Sequence, residues 1–332
     1  MNFNKGKTMK ADKKLIDQIS FGKISIEEKE NGLFFRRTSD KVTKAFFNTA
    51  TDFGEKTYAS SCINFDFYTD SKTVKLEYCD VIKGSLRNWY YFDVVVNGAL
   101  KVHTGHEDYT IDGSGEVVVN LDGNLNRVTI YSPMLVGYTL KSLTFDDGAK
   151  IIPVIKKCKI LALGDSITHG YDETYSSFAY TNLISRYFDA EVVNQAVGGA
   201  FAISETVETE INPDYVLVFY GTNDWWRKEY QSFYDDYHDF VKTIKQTHTN
   251  ATVFLVSPIY RADKSVSQAG DFSITKDVVS SACEKYGCVF IDGMTLAPHL
   301  TDFFMPDKVH PNDMGSFMYA FGLLEVLREY IK

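Results

Sequence analysis

Ile160-Leu161-Ala162-Leu163-Gly164-Asp165-Ser166-Ile167-Thr168-His169-Gly170 changes character halfway along. Its apolar first half has the length of a buried parallel strand, and Gly-Asp-Ser then supplies tight-turn chemistry. A serine so placed stands at the carboxyl end of a strand, where open α/β sheets assemble their sites. The rest of the second half repeats that grammar. Buried strands are expected at Lys159 to Leu163, Ala190 to Asn194, Tyr215 to Tyr220, Thr252 to Val256 and Val289 to Asp292. Helix-period segments separate or follow them at Ser176 to Phe188, Ser204 to Ile211, Phe233 to Thr247, Ser273 to Tyr286 and Met314 to Ile331. Strand and helix in alternation imply a parallel sheet covered on both faces.

Upstream the texture differs. From about residue 22 to 150, short alternating runs such as Thr73 to Tyr78, Phe92 to Val96, Glu116 to Leu121 and Asn126 to Tyr131 are separated by turn residues. Val96-Asn97-Gly98-Ala99 is an Asn-Gly hairpin signal. This pattern predicts an antiparallel β-sandwich, with almost no helix beyond a short one near Asp12 to Ile19. The expected division is residues 1–152 for the sandwich and 153–332 for the α/β domain.

Composition narrows the partners. A net charge of −9 and no Lys/Arg stripe argue against nucleic acid or an anionic membrane. Five cysteines, odd in number and set in apolar runs, read as reduced thiols without disulfide framework or zinc spacing. The polar stretch Met1 to Ser20 lacks an export signal's apolar core, so a cytoplasmic location is the expectation. Aromatics are abundant, with 21 Tyr, 24 Phe and 3 Trp, as strand packing favours.

Four blocks fall on one edge of the expected sheet: Gly164-Asp165-Ser166, Asn194 to Gly199, Gly221-Thr222-Asn223-Asp224, and Asp307-Lys308-Val309-His310-Pro311. An acyl-transfer serine needs a base, a group orienting that base, and donors for the oxyanion. His310 can be the base, and Asp307, three residues away, can share its turn. Asp302 and Asp292 are alternative carboxylates outside that turn. The backbone N–H groups of Ser166 and Gly199 and the Asn223 amide are the candidate oxyanion donors.

In this order the blocks resemble the SGNH (GDSL-type) hydrolase superfamily. The resemblance covers about residues 157–332 and implies a flavodoxin-like three-layer α/β/α domain. It implies Ser166 as nucleophile, Gly199 and Asn223 in the oxyanion hole, and Asp307 with His310 as orienter and base. Ala196 departs from the pattern, since relatives often carry Gly there. A preceding sandwich is similar to certain carbohydrate esterases, including acetyl-xylan-esterase-like enzymes. The implied protein is a serine esterase acting on short, above all acetyl, esters of a small molecule or oligosaccharide, without metal or organic cofactor. The alternatives are a lipase- or lysophospholipase-like acylhydrolase and a non-catalytic carbohydrate-binding protein. Candidate substrate contacts are Asp165, which also suits the turn, and Trp225 and Trp226, which could stack on a sugar.

Other residues read more plainly. His169 is a rival base nearer the site's rim. His103 and His106 are surface histidines of a loop rather than metal ligands, and His238, His248 and His299 are solvated or capping. Asp224 caps the next helix or orients Asn223. Gly113-Ser114-Gly115 is a hairpin loop and Asp235-Asp236 a solvated helix face.

Overall fold

The computed structural model describes residues 7–263 and 265–332. The first six residues of the stretch read for an export signal lie outside the described residues. Contacts divide the chain into two units. One takes the described residues up to Arg37, Tyr58–Ile155 and Tyr175–Ser177. The other takes Thr38–Thr57, Lys156–Thr174 and Phe178–Lys332.

The first unit is an antiparallel sandwich. One sheet runs, in spatial order, through Ser25–Lys29, Gly32–Arg36, Val136–Asp146, Thr73–Lys83 and Gly115–Asn120. The other runs through Ile151–Pro153, Asn64–Thr69, Asn126–Tyr131, Tyr90–Val96 and Ala99–His106. Alternation along each strand turns Phe65, Phe67, Phe92, Tyr138 and Phe145 into a common core. Asn97 and Gly98 close the expected hairpin with φ of 50° and 85°, the left-handed pair that a two-residue turn requires. His103 and His106 lie on a strand rather than a loop, three residues apart and therefore on opposite faces. His103 bonds Asp93 and stacks on Tyr91, while His106 packs on Tyr90.

Two helices, Asp40–Thr49 and Thr51–Lys56, interrupt the strands and pack with the second unit. They correct the expectation that this half is nearly free of helix. Their signal is short: Ser39 caps the Val42 amide, and one face buries Val42, Thr43 and Phe46.

In the second unit all pairings within the main sheet are parallel, in the order Glu191–Asn194, Lys159–Leu163, Tyr215–Val218, Thr252–Val256, Val289–Ile291. This is the flavodoxin-like order, with a switch point beside the strand Lys159–Leu163. The three strands that carry the first three blocks are neighbours, so their carboxyl ends converge. One expected helix is absent: Ser204 to Ile211 forms only the 3-10 turn Ser204–Thr206. The buried Glu208 carboxylate accepts from the amides of Ser39, Thr209 and Glu210 and from Gln195 Nε2, which holds the segment as a loop. Among the described residues no helix is long and apolar enough to cross a membrane.

Candidate active site

Ser166 opens the four-residue helix Ser166–His169, directly after the strand Lys159–Leu163. Asp165 accepts the Ile167 amide at 3.1 Å, and Gly170 ends the turn at φ 100°. The first N–H groups of a helix have no intrahelical acceptor, so the Ser166 amide is a donor at the start of this turn. Gly164 is obligatory here, because a Cβ at that position would overlap Thr168 Oγ1.

The fourth block folds back on the first. Asp307 Oδ1 accepts the amides of Val309 and His310 at 2.9 and 3.0 Å, while its Oδ2 meets His310 Nδ1 at 2.6 Å. One carboxylate thus builds the turn and orients the ring. Burial raises the Asp307 carboxyl, but the bonds from His310 and the two amides outweigh it and hold the group well below the usual carboxylate range. His310 Nε2 lies 2.7 Å from Ser166 Oγ. Hydroxyl, imidazole and carboxylate therefore form one hydrogen-bonded chain from residues 144 positions apart. The carboxylates at His310 Nδ1 are those of Asp307 and Asp172, not the alternatives Asp302 and Asp292, and the Asp292 carboxylate pairs with Lys276.

Gly199 adopts φ +85°, the left-handed region that favours glycine. A Cβ there would stand 3.4 Å from the Phe53 ring and 3.6 Å from the Arg227 guanidinium. The half-buried Asn223 is fixed by one Nδ2–H bond to the Ala200 carbonyl at 3.0 Å, leaving its second N–H. Ala196, the departure from the family pattern, is fully buried and leaves this glycine loop intact.

Several residues behave differently from the sequence reading. Trp225 is buried, donates its indole N–H to the Gly270 carbonyl at 3.0 Å and packs edge-on against Phe272, so it offers no face to a sugar. Asp165 is likewise buried and spent on its turn, and burial pushes its carboxyl up to about 6. Trp226, 52% exposed, is the one of the three left at the surface. Asp224 neither caps the next helix nor orients Asn223. Fully buried, it accepts the Ala202 amide at 3.1 Å and pairs with Lys228, bracing the glycine loop. His169 is also buried, with Nδ1 accepting the Gly198 amide at 3.2 Å, a positioning contact incompatible with a base at the rim. His238 is buried against Ser281 and Tyr234 rather than solvated, whereas His248 caps a helix C-terminus and His299 is exposed beside Tyr260, as the sequence reading has them.

The structure adds residues that motif reading does not reach. Lys56, from the intervening helices, donates to the Gly198 carbonyl at 2.8 Å and pairs with Asp52. Asp172 brings a second carboxylate to 3.7 Å from His310 Nδ1. Asp172, Asp307 and His310 are the one cluster among the described residues with metal-ligand chemistry. Both ring nitrogens of His310 already face Ser166 and Asp307, an arrangement for proton movement rather than a cation cradle.

Comparison with known proteins identifies a family for the second unit. Residues 162–316 match the GDSL-like Lipase/Acylhydrolase family. No curated protein sequence matches. Among solved structures, the salicylyl-acyltransferase SsfX3 of a tetracycline biosynthetic pathway superposes with a TM-score of 0.82 at 17% identity, over 99% of this chain and 98% of that one. A family two carbohydrate esterase from Cellvibrio japonicus gives 0.65 at 17% identity, over 97% of each chain. Another from Clostridium thermocellum, solved with cellohexaose, gives 0.65 at 13% identity, over 93% and 98%. At such identities these likenesses establish the two-part fold alone. Motif order, sheet topology and the family match together make residues 162–316 a GDSL-like lipase/acylhydrolase domain, and the chain a carboxylic ester hydrolase.

Proposed function

We propose that the protein is a serine esterase removing short acyl groups, acetyl above all, from a carbohydrate or related small alcohol. The observation that carries the chemistry is the Ser166 Oγ to His310 Nε2 contact of 2.7 Å, with Asp307 behind the ring. In this reading Ser166 Oγ attacks the ester carbonyl carbon while its proton passes to Nε2. Negative charge collects on the carbonyl oxygen, facing the amides of Ser166 and Gly199 and the free N–H of Asn223. Collapse breaks the C–O bond of the leaving alcohol, which takes the Nε2 proton. Water then repeats both steps on the acyl-serine and releases the acid.

The carbohydrate assignment is supported by the family two carbohydrate esterases that share the fold over the whole chain, and by the exposed Trp226. The closer superposition on an acyltransferase favours one second reading, in which an alcohol other than water accepts the acyl group. Acetate release across a panel of acetylated saccharides, with and without added acceptor alcohols, separates the two. Ser166→Ala should abolish turnover and labelling by a serine-directed phosphonate, and a fully active Ser166→Ala protein would end the assignment. Comparison of acetyl with decanoyl esters should favour acetyl.

A further inference from the structure

His310 has two carboxylates at its Nδ1 edge. Asp307 Oδ2 is 2.6 Å away but its side chain is 43% exposed, whereas Asp172 Oδ2 is 3.7 Å away on a side chain only 3% exposed. Water screens the first charge far more than the second, so the more distant carboxylate acts through the lower dielectric. Asp172 sits in the left-handed region at φ 67°, a placement that costs free energy for any residue but glycine and is least unfavourable for Asn and Asp. Strained, buried polar residues held against a reacting group are where function is to be sought.

We propose that Asp172 is a second positioning residue for His310, sharing with Asp307 the orientation of the ring and the stabilisation of the imidazolium that forms as Ser166 attacks. This rests on the Ser166–His310 relay proposed above. In that step the Oγ–H bond breaks, the proton moves to Nε2, and the new positive charge faces two carboxylates at Nδ1. Other groups also face the ring or its carboxylates. Tyr171 stacks at 5.9 Å, Lys308 lies on the same turn, and Asp165 interacts with both His310 and Arg261. Glu173 and Asp313 lie beyond Asp172, and burial pushes the Glu173 carboxyl up to about 8, so it stays neutral near pH 7.

The test is the pH profile of kcat/KM for Asp172→Asn, Asp307→Asn and the double variant on a chromogenic acetyl ester. Asn is at ease at positive φ, and Asp172→Gly, equally at ease there, is the second variant should Asn impair folding. Loss of an anion beside the ring disfavours the imidazolium. The acid limb should therefore move to lower pH. Optimal kcat/KM should fall about tenfold, roughly 1.4 kcal/mol of barrier. Asp307→Asn should keep activity that the double variant loses by a further order of magnitude or more. An acid limb that overlays the wild type, with a double variant no worse than Asp307→Asn, overturns the proposal. If Ser166→Ala is dead in that case, only the role of Asp172 fails; if Ser166→Ala is active, the relay fails with it.

Discussion

Asn223 shows how finely single side chains are set. One of its amide hydrogens is committed to the Ala200 carbonyl, which fixes the direction of the other. Asn223→Ala should lower kcat by about 10²–10³-fold with little change in KM, the usual scale for one oxyanion donor. Steady-state kinetics on an acetyl ester check this, and a change confined to KM would remove Asn223 from the oxyanion hole. At the same scale Trp225 is a lesson about adjacency. Trp225 and Trp226 are neighbours in sequence, yet on a helix neighbours are about 100° apart, and one turns into the core while the other faces solvent.

Among the elements, the helices Asp40–Thr49 and Thr51–Lys56 matter most for the site. They place a buried ammonium on the Gly198 carbonyl, next to the glycine whose amide would meet the oxyanion. Charge-assisted bonds of this kind contribute about 1.5–3 kcal/mol, and breaking one loosens the loop it pins. Lys56→Met should lower kcat/KM by roughly an order of magnitude or more while Ser166 remains reactive toward a phosphonate. Unchanged kinetics would show that Asp224 and His169 hold the loop without help. The strand ends were easier to read than these helices, because a five-residue apolar run bounded by turn residues has the length of a strand and is short for a helix. A single short amphipathic turn behind Ser39 is outweighed by the strand texture around it.

Over the whole molecule, buried acids tie stability to pH. Glu173 lies in the second unit, bonded to Ser316 Oγ, and burial raises its carboxyl to about 8 from the ordinary 4.5. Between those values the folded chain keeps a proton that the unfolded chain releases, so folding loses stability as pH rises through that window. Thermal melts should show the Tm of the second unit falling from about pH 5 to 8, at roughly 2–4 °C per kcal/mol for a unit of that size. Glu173→Gln should flatten that slope, and an identical slope in the variant would place the titration elsewhere.

The two-part architecture, the strand positions, the Asn97-Gly98 hairpin, the three blocks after strands and the fourth before the last helix were legible in the chain itself. Each is written in local periodicity or turn chemistry, and the candidate residues Ser166 and Asn223 stand in the short helices that open just after such signals. Tertiary structure alone decided that residues 38–57 serve the second unit, that Trp225 and Asp165 are buried, that Glu208 keeps Ser204 to Ile211 from forming a helix, and that Asp172 stands beside His310. Burial and long-range pairing depend on what the rest of the chain brings to a residue. No pattern of neighbours along the sequence encodes that.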